Sequence, residues 1–477
     1  MFHDHPVWTA LGLIEIVYVL ALSAWIILQR RAPAATLAWI FGMALVPVGG
    51  FVVYHFLGPR KLLRSRLKRL RARQALGSIK ERVAAVPEGR LHTVKLAAQL
   101  ARIGTSTTMS GVCGADDVRV LPSGKSTFEA MLADIRAAKH HVHVLYYIFE
   151  PDQTGRALLD ALAERARAGV EVRLLVDAVG SARLRKRVTQ ALRDAGGEVA
   201  YFNRASLVRR GRRLNFRNHR KICVIDGRVG YTGGVNVHDE EDSSVRADAW
   251  RDTHVRLEGG CVAGLQLVFL EDWHYTKGKA PSGKEYIPES QVPSSGALVQ
   301  ILDSGPDTEF EIIKLTYFAA LGVATERVWL TAAYFVPDES MLVALKAAAL
   351  RGVDVRLLVS KKSDSRVVSA AARSYFPELL RAGVRIHEYE PVMLHSKTLL
   401  VDDWFSAIGT ANMDNRSFRL NFEVTAVIYD PKTNTELATL FDQDLAQSTE
   451  ITPRDLAQAP LSRRLFESTA RLLSPLL

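Results

Sequence analysis

The first sixty residues contain two long apolar stretches. Residues 7–28 are almost continuously hydrophobic, and a second stretch covers residues 34–57. Each is long enough to predict a membrane-spanning helix. A cleaved signal peptide is the alternative for the first stretch, but residues 2–5 lack the expected positive charge and the second stretch follows at once. We therefore expect residues 1–59 to form a two-helix membrane anchor.

Further along the chain, a strand–helix–strand pattern occurs twice. Apolar runs at 142–149 and 170–177 flank a helical stretch, and the runs at 328–336 and 353–360 do the same in a second copy. Such runs, rich in Val and Leu, predict buried parallel or mixed strands in β-α-β units. The sequence therefore predicts an α/β fold built on an internal repeat.

A polar motif follows each repeat unit, with the same offsets in both copies. The first copy contains His219, Lys221, Asp226 and Asn236, and the second contains His395, Lys397, Asp402 and Asn412. A neutral His can attack phosphorus or transfer a proton, while Lys and Asn can bind phosphoryl oxygens. The two sets together predict one phosphoryl-transfer site that needs no metal.

The motif residues have different expected roles because of their positions on a strand. The residues between Lys and Asp are apolar in both copies, so His and Lys, two residues apart, share one face. Asp226 and Asp402 come at the strand end before a turn. We count them with the catalytic candidates because they belong to the motif, although we interpret them as mainly structural. Glycines then allow Asn236 and Asn412 to approach phosphate.

Two isolated acids follow the motifs. Asp252 and Glu423 lie in strand-like segments, and a histidine that transfers protons or is phosphorylated needs an acceptor for its second nitrogen. We predict that these two carboxylates orient the histidines. Ordinary surface acids are the alternative.

Charge and cysteine content narrow the classes of partner and compartment. The net charge of +11 favours an anionic partner, either nucleic acid or an acidic membrane. Residues 60–73 carry eight positive charges directly after the second apolar stretch, which predicts a cytoplasmic catalytic body and a basic helix on anionic headgroups. A solvated linker is the alternative for this segment. Three scattered cysteines argue against a disulfide framework or a zinc site.

The doubled motif resembles the signature of the phospholipase D superfamily, and the whole chain is similar to bacterial membrane-anchored cardiolipin synthases. The matching segments are residues 30–33, 147–149, 216–221, 303–306, 334–337, 394–397, 416–417, 420–423 and 474–477. The resemblance implies two α-β-α domains of the phospholipase D type, related by a pseudo-twofold axis and preceded by two transmembrane helices. The implied divisions are an anchor at 1–59, a basic juxtamembrane linker at 60–110, and domains at 111–290 and 291–477.

The resemblance also implies a reaction, in which a phosphatidyl group passes from one phosphatidylglycerol to another through a phosphohistidine, without metal or cofactor. His219, favoured as the nucleophile, and His395 would share the nucleophile and acid/base roles. Lys221, Lys397, Asn236 and Asn412 would bind phosphate. The implied partners are phosphatidylglycerol and anionic membrane lipid rather than nucleic acid, at the bacterial inner membrane. Gly234 stands where many members have Ser, which removes a hydroxyl that could contact phosphate.

Other functions and features stay open at this point. Water in place of the second lipid would make the enzyme a phospholipase D. The charge of the chain and the basic segment 209–213 are compatible with a nuclease, whereas the membrane segments argue against it. A non-catalytic scaffold is disfavoured because both motifs are intact. Residues 461–473 predict an amphipathic helix, docked on the membrane or packed on the second domain. The oligomeric state is open, with a homo-oligomer among the alternatives.

Overall fold

The computed structural model describes residues 6–28, 33–46, 49, 63–76, 95–105, 111–203, 216–281, 283–288 and 296–477. The chain divides into two compact units, one formed by residues 1–61 and 205–215, the other by residues 62–204 and 216–477. The basic segment at 209–213, which bears on the nuclease alternative, lies outside the described residues.

The first unit contains helices α1 (Pro6–Ile27) and α2 (Pro33–Leu45). Ile26 and Met43 are buried where these helices pack together, beside Leu22 and Trp39. Within the described ranges, no helix combines the length and the apolar character needed to cross a membrane. Most of residues 47–57, the second half of the second apolar stretch, lies outside the described residues.

The second unit is built on two large sheets. The strands of the first are β2 (Asp117–Leu121), β3 (His141–Tyr146), β4 (Glu171–Asp177), β5 (Glu198–Phe202), β6 (Ile222–Ile225), β7 (Val229–Gly233) and β8 (His254–Glu258). They are arranged in the order β2-β8-β7-β6-β3-β4-β5. The pairs β3–β4 and β4–β5 are parallel, and the remaining pairs are antiparallel.

The second sheet repeats this arrangement and extends it at both edges. Its strands are β1 (Val112–Gly114), β9 (Leu298–Ser304), β10 (Arg327–Ala332), β12 (Asp354–Ser360), β13 (Arg385–Tyr389), β14 (Lys397–Val401), β15 (Phe405–Gly409), β17 (Glu423–Tyr429) and β18 (Ser448–Ile451). Their order is β1-β9-β17-β15-β14-β10-β12-β13-β18. Without β1 and β18, each strand has a counterpart at the same place in the first sheet. The doubled pattern in the sequence is therefore a doubled sheet, and the prediction of a phospholipase D-type α/β fold agrees with it.

The helices of this unit cover the outer faces of the sheets and fill the space between them. Their bounds are α3 (Leu63–Ala75), α4 (Lys95–Thr105), α5 (Gly124–Ala137), α6 (Gln153–Arg167), α7 (Gln190–Asp194), α8 (Val262–Lys277), α9 (Ile312–Val323), α10 (Glu339–Leu350), α11 (Arg366–Arg373), α12 (Phe376–Arg381), α13 (Asn415–Arg419), α14 (Pro431–Leu445), α15 (Pro453–Ala457) and α16 (Leu461–Leu472). A two-stranded sheet joins β11 (Phe335–Val336) to β16 (Met413–Asp414).

Three hydrophobic clusters show how these layers pack. One lies between the first sheet and helices α5 and α6, and another covers the outer face of the second sheet under α9 to α12. The third includes residues of both sheets together with α8 and α14. Because this shared core joins the two halves, the motif strands β6 and β14 are held in one body.

Matching Pro-Asp pairs start the first helix of each repeat unit. Asp152 caps α6 by accepting a hydrogen bond from Gly155 N, and Asp338 caps α10 by accepting one from Met341 N. Aspartate is a favoured residue at this position because its carboxylate satisfies an unpaired N–H of the first turn. The repeat seen in the sequence therefore extends to the helix caps.

Two contacts of described residues bear on the domain divisions expected from the sequence. Residues 60–110 were expected to be a basic linker, but α3 packs against α8 and α4 packs against α9. Arg69 of α3 is buried, so this helix does not present all its charges to headgroups or solvent. In addition, β1 pairs with β9 of the second sheet, although it falls within the range assigned to the first domain.

Candidate active site

The start of each motif is fixed by a segment of the other half. His219 N donates a hydrogen bond to Phe422 O at 2.9 Å, and His395 N donates one to Arg251 O at 2.8 Å. Each of these acceptors immediately precedes one of the two predicted orienting acids. The pseudo-twofold arrangement therefore brings each histidine beside the acid of the opposite half.

The side chains follow the same crossed arrangement. His219 Nδ1 lies 2.9 Å from Glu423 Oε2, and His395 Nδ1 lies 2.7 Å from Asp252 Oδ2. All four side chains are buried. With Nδ1 occupied by a carboxylate, Nε2 is the nitrogen of each ring that is available to react.

The two motif lysines are also buried, and each donates a hydrogen bond to the backbone oxygen of the histidine in its own motif. Lys221 Nζ donates to His219 O at 3.0 Å, and Lys397 Nζ donates to His395 O. Burial and then the positive charge of Lys397 lower the pKa of Lys221 to about 7. Burial also lowers the pKa of Lys397. Two ammonium groups that repel each other inside the protein form a site that an anionic phosphate would stabilise.

Each motif asparagine has a side-chain oxygen that receives no hydrogen bond from the residues the structure describes. Asn236 N and Nδ2 donate to Glu241 Oε1, and Asn412 N donates to Ser417 Oγ at 3.1 Å. Both side-chain Oδ1 atoms are buried and accept no hydrogen bond from the described residues. These amides retain hydrogen-bonding capacity that a ligand or water can use.

The motif aspartates have a structural role in this arrangement. Asp226 accepts hydrogen bonds from the backbone N–H groups of residues 139–141, and Asp402 accepts them from residues 325–327. Both aspartates adopt left-handed backbone conformations, with φ of 53° and 50°. Because their carboxylates hold the start of β3 and of β10, we propose a mainly structural role for both, as their place before a turn suggests.

Glu241 is a neighbour of the site that sequence reasoning missed. Its Oε1 lies 3.5 Å from His395 Nδ1, and the side chain is buried. Burial and then the charge of Asp252 raise the pKa of Glu241, and burial raises the pKa of Asp252 to about 6. Glu241, Asp252 and His395 also offer three ligand atoms within 4.8 Å of one another, so they could hold a metal ion. In the sequence, Glu241 stands five residues after Asn236, and Ser417 stands five residues after Asn412. The repeat therefore marks this position, although the residue types differ.

The second copy shows that a hydroxyl at the position of Gly234 contacts a carboxylate. Thr410, at the matching position of the second copy, donates its hydroxyl hydrogen to Glu423 Oε2. A Cβ on Gly234 would lie 2.0 Å from Asp252 Oδ1. Glycine at position 234 therefore makes room for Asp252. A hydroxyl at this position was expected to contact phosphate, but the hydroxyl of Thr410 contacts Glu423 instead.

Aromatic rings border both histidines. The ring centroid of Tyr147 lies 4.8 Å from that of His219, and the centroids of Trp250 and Tyr334 lie 5.1 and 6.4 Å from that of His395. In the register that matches Asp152 with Asp338, Tyr147 and Tyr334 are one position apart, so each half supplies a tyrosine from the end of the same strand but not from the same place. These rings help to bury the imidazoles, and burial lowers the pKa of His219 and that of His395, the latter to about 3.

The chain was compared with known proteins at the level of sequence. The family model described as "Cardiolipin synthase, PLD-like domain" matches residues 131–244 and 317–445, which contain both motifs. A cardiolipin synthase of Geobacillus sp. strain WCH70 is 43% identical over 94% of this chain and 90% of its own length. Cardiolipin synthase 2 of Bacillus cereus is 42% identical over 95% of this chain and 88% of its own length. The chain belongs to the cardiolipin synthase family.

Solved structures agree with this family at the level of fold. The phosphatidylserine synthase of Haemophilus influenzae superposes with a TM-score of 0.60 at 14% identity, over 80% of this chain and all of that one. A polyphosphate kinase of Porphyromonas gingivalis gives a TM-score of 0.50 at 13% identity, over 75% of this chain and 53% of that one. The family model and the two relatives confirm the recognition of a phospholipase D-like protein that was made from the sequence.

Proposed function

We propose that this member of the cardiolipin synthase family transfers a phosphatidyl group from one phosphatidylglycerol to another and releases glycerol. The observation that carries the proposal is the crossed pair of histidine–carboxylate contacts, His219 with Glu423 and His395 with Asp252, beside two buried lysines. Such a centre supplies a nucleophile, an acid/base group and positive charge for a phosphodiester. The reaction breaks one phosphodiester bond and forms another, so it needs no nucleotide as an energy source.

His219 is the proposed nucleophile. Its partner Glu423 is buried, which by itself would raise the carboxyl pKa, but His219, Thr410 and Lys221 offset burial, so that the pKa of Glu423 is lowered. The carboxylate therefore stays ionised and accepts the hydrogen on Nδ1 of a neutral imidazole. When Nε2 bonds to phosphorus the ring becomes positive, and a fixed negative charge beside it stabilises that state.

His395 is the proposed acid and base. Burial lowers the pKa of His395 to about 3 and raises that of its partner Asp252 to about 6. The proton of this pair is therefore not fixed on the imidazole, which can pass it to a leaving oxygen and take one back from an acceptor. The asymmetry between the two carboxylates therefore supports the division of roles that family analogy suggests.

The proposed reaction has two balanced steps. In the first, His219 Nε2 forms a bond to phosphorus, the bond from phosphorus to the glycerol oxygen breaks, and that oxygen takes a proton from His395. In the second, His395 takes the proton from the headgroup hydroxyl of another phosphatidylglycerol. The hydroxyl oxygen then attacks phosphorus, the phosphorus–nitrogen bond breaks, and cardiolipin leaves. Lys221, Lys397, Asn236 and Asn412 are the proposed phosphate-binding side chains throughout.

We also propose that the protein works at the inner membrane, anchored by its apolar N-terminal segments, with the catalytic body on the cytoplasmic side.

Helix α16 supports contact of this body with lipid. It packs against α11, but Leu461, Leu465 and Leu472 are 78, 66 and 78% exposed. Both alternatives for this helix therefore have support, because one face packs on the second domain while the leucine face is open. Replacing Leu461 and Leu465 with Ser should lower activity on vesicles and leave activity on short-chain lipid unchanged; equal losses on both substrates would exclude docking.

Product analysis with phosphatidylglycerol labelled in its headgroup and its phosphorus tests the reaction. The proposal predicts labelled cardiolipin and one free glycerol for each cardiolipin formed. Phosphatidic acid as the main product would instead assign the phospholipase D reaction, with water as the acceptor. Cleavage of DNA in a parallel incubation, without any lipid product, would assign a nuclease and overturn the proposal.

A further inference from the structure

Helix α3 is held to the catalytic body through a charged residue on its inward side. Arg69 is only 3% exposed, whereas Leu67 and Leu70 of the same helix are 56 and 54% exposed. Arg69 forms three ion pairs, with Glu271 at 2.7 Å, Asp272 at 3.0 Å and Asp307 at 2.9 Å. The same inward side buries Ala72 and, directly after the helix, Leu76, so Arg69 is a charged residue on a side that otherwise packs with apolar residues. The buried charges of α3 therefore call for an explanation other than core packing.

One of these carboxylates is shared with the catalytic motif. Asp272 binds Arg69 through Oδ1 and Arg220 through Oδ2, the latter at 2.7 Å. Arg220 stands between His219 and Lys221 in the chain, and its side chain is completely buried. Asn218, the residue before His219, also donates to Asp272 Oδ2 at 2.8 Å. Asp272 thus links α3 directly to the residues that carry the first motif.

A second carboxylate makes a parallel link. Asp303 lies 3.4 Å from Arg73 of α3 and 3.2 Å from Arg220. Arg220 in turn donates from Nε to the backbone oxygen of Glu423 at 3.1 Å. The guanidinium of Arg220 therefore connects three groups: the carboxylates that bind α3, the motif segment, and the acid that contacts His219.

The balance of charge makes this network sensitive to each member. It contains three arginines (Arg69, Arg73 and Arg220) and four carboxylates (Glu271, Asp272, Asp303 and Asp307). Buried carboxylates that lose a partner must find another or take up a proton. If Arg69 is lost, Asp272 keeps its contacts with Arg220 and Asn218 but loses the cation at Oδ1, and any rearrangement that restores a partner acts on the two residues that flank His219.

We infer that Arg69 is a positioning residue for the first half of the site, because it holds Asp272 and hence sets Arg220, the backbone of His219 and Lys221, and the placement of Glu423. The position of α3 on the body therefore controls turnover as well as stability. This role lies outside both motifs and goes beyond the proposed reaction, on which it depends only for its assay. The precision that phosphoryl transfer requires makes such indirect control effective, since small displacements of a reacting group cost much rate.

The test compares three variants of the full-length protein on short-chain phosphatidylglycerol in detergent. They are Arg69→Lys, which keeps the charge but loses the forked contacts, Arg69→Met, and Arg69→Met combined with Asp307→Asn, which removes a cation and an anion together. The inference predicts that kcat falls roughly tenfold to a hundredfold in all three, as for other residues that orient reacting groups, while KM changes less than threefold. The double substitution should recover thermal stability relative to Arg69→Met without recovering kcat.

The matched control is Arg256→Lys. Arg256 of β8 is another arginine whose side chain, 14% exposed, has several carboxylate partners, and these are Asp117, Asp134 and Glu258 rather than motif residues. It should lose stability and keep its kcat. If Arg69→Lys keeps kcat within twofold of the unmodified protein, or if kcat recovers together with stability in the double variant, Arg69 is only structural and the inference fails. The inference also fails if none of the three variants folds. Absence of cardiolipin formation by the unmodified protein would count against the proposed function instead.

Discussion

The two half-sites, one around His219 and Glu423 and the other around His395 and Asp252, share a fold and a motif. The groups that surround their carboxylates differ. In the first, Glu423 is the acid bonded to His219, and it also receives hydrogen bonds from Thr410 and Asn421. In the second, His395 has Asp252 at 2.7 Å and Glu241 at 3.5 Å, and the position matching Thr410 is a glycine. Donors surround the acid of one half-site, whereas a second acid accompanies the acid of the other.

This difference changes where a proton can reside. Donated hydrogen bonds stabilise a carboxylate, and a neighbouring carboxylate destabilises it. Despite burial, the pKa of Glu423 is lowered on balance, by the charge of His219 and by the hydrogen bonds from His219 and Thr410, while burial raises the pKa of Asp252 to about 6. The comparison teaches that a duplicated motif can supply unequal partners, one with a fixed charge and one with an exchangeable proton.

The largest expected effect comes from removing either histidine. His219→Ala and His395→Ala should each lower kcat by roughly a thousandfold or more, because the nucleophile and the acid/base group act as one unit. The double variant should lose little beyond either single one. Initial-rate assays at saturating lipid measure this, and activity close to that of the unmodified protein in either single variant would break the idea of a shared site.

Replacing either orienting acid should lower kcat less than replacing a histidine, and the two losses should be unequal. Glu423→Gln and Asp252→Asn should lower kcat by roughly tenfold to a thousandfold. The larger loss should follow Glu423→Gln, because Glu241 can still accept a hydrogen bond from His395 when Asp252 is changed. Adding Glu241→Gln to Asp252→Asn should remove that difference. Equal losses in the two single variants, with no further effect of Glu241→Gln, would show that the half-sites are equivalent after all.

The lysines give a pH dependence with a defined sign. Burial and the charge of Lys397 lower the pKa of Lys221 to about 7, so Lys221 is protonated below that pH and loses its proton above it. Because kcat/KM reports the free enzyme, it should fall by roughly tenfold per unit above about pH 7. Bound phosphate raises the pKa of Lys221, so the fall in kcat should come at higher pH. Coincident profiles for kcat and kcat/KM would argue against Lys221 as a phosphate ligand.

The smallest expected effect is that of a chelator. Glu241, Asp252 and His395 could hold a cation, but in the proposed reaction Lys221 and Lys397 supply the positive charge. Treatment with EDTA, followed by assay in metal-free buffer, should leave kcat within about twofold of its starting value, too little for a metal-activated step. Abolished activity that a single kind of cation restores would assign a metal to the second half-site.

The sequence predicts the fold and the main site residues because their signals are local. Long apolar runs mark β3, β4, β10 and β12, which are buried on both faces, and the doubled motif marks the histidines and lysines. The structural reading of Asp226 also follows from its place before a turn. These features depend on neighbours a few residues away.

The parts that were missed depend on contacts between distant segments. The pairing of His219 with Glu423 rather than with Asp252 follows from the bridge between Asn218 and Phe422, which no local pattern indicates. The burial of Arg69 was unexpected because a basic segment normally faces solvent or headgroups, and here carboxylates about two hundred residues away draw it inward. Glu241 was missed because the two copies of the repeat differ at that position.

The division of labour between the half-sites can be tested by locating the covalent intermediate. The protein is mixed with phosphatidylglycerol labelled at phosphorus, quenched at alkaline pH within the first turnover, and cleaved into peptides. The account predicts label on His219, and more of it in His395→Ala if that variant forms the intermediate but cannot complete the second step. Label on His395, or label on neither histidine during a burst of glycerol release, would contradict the account.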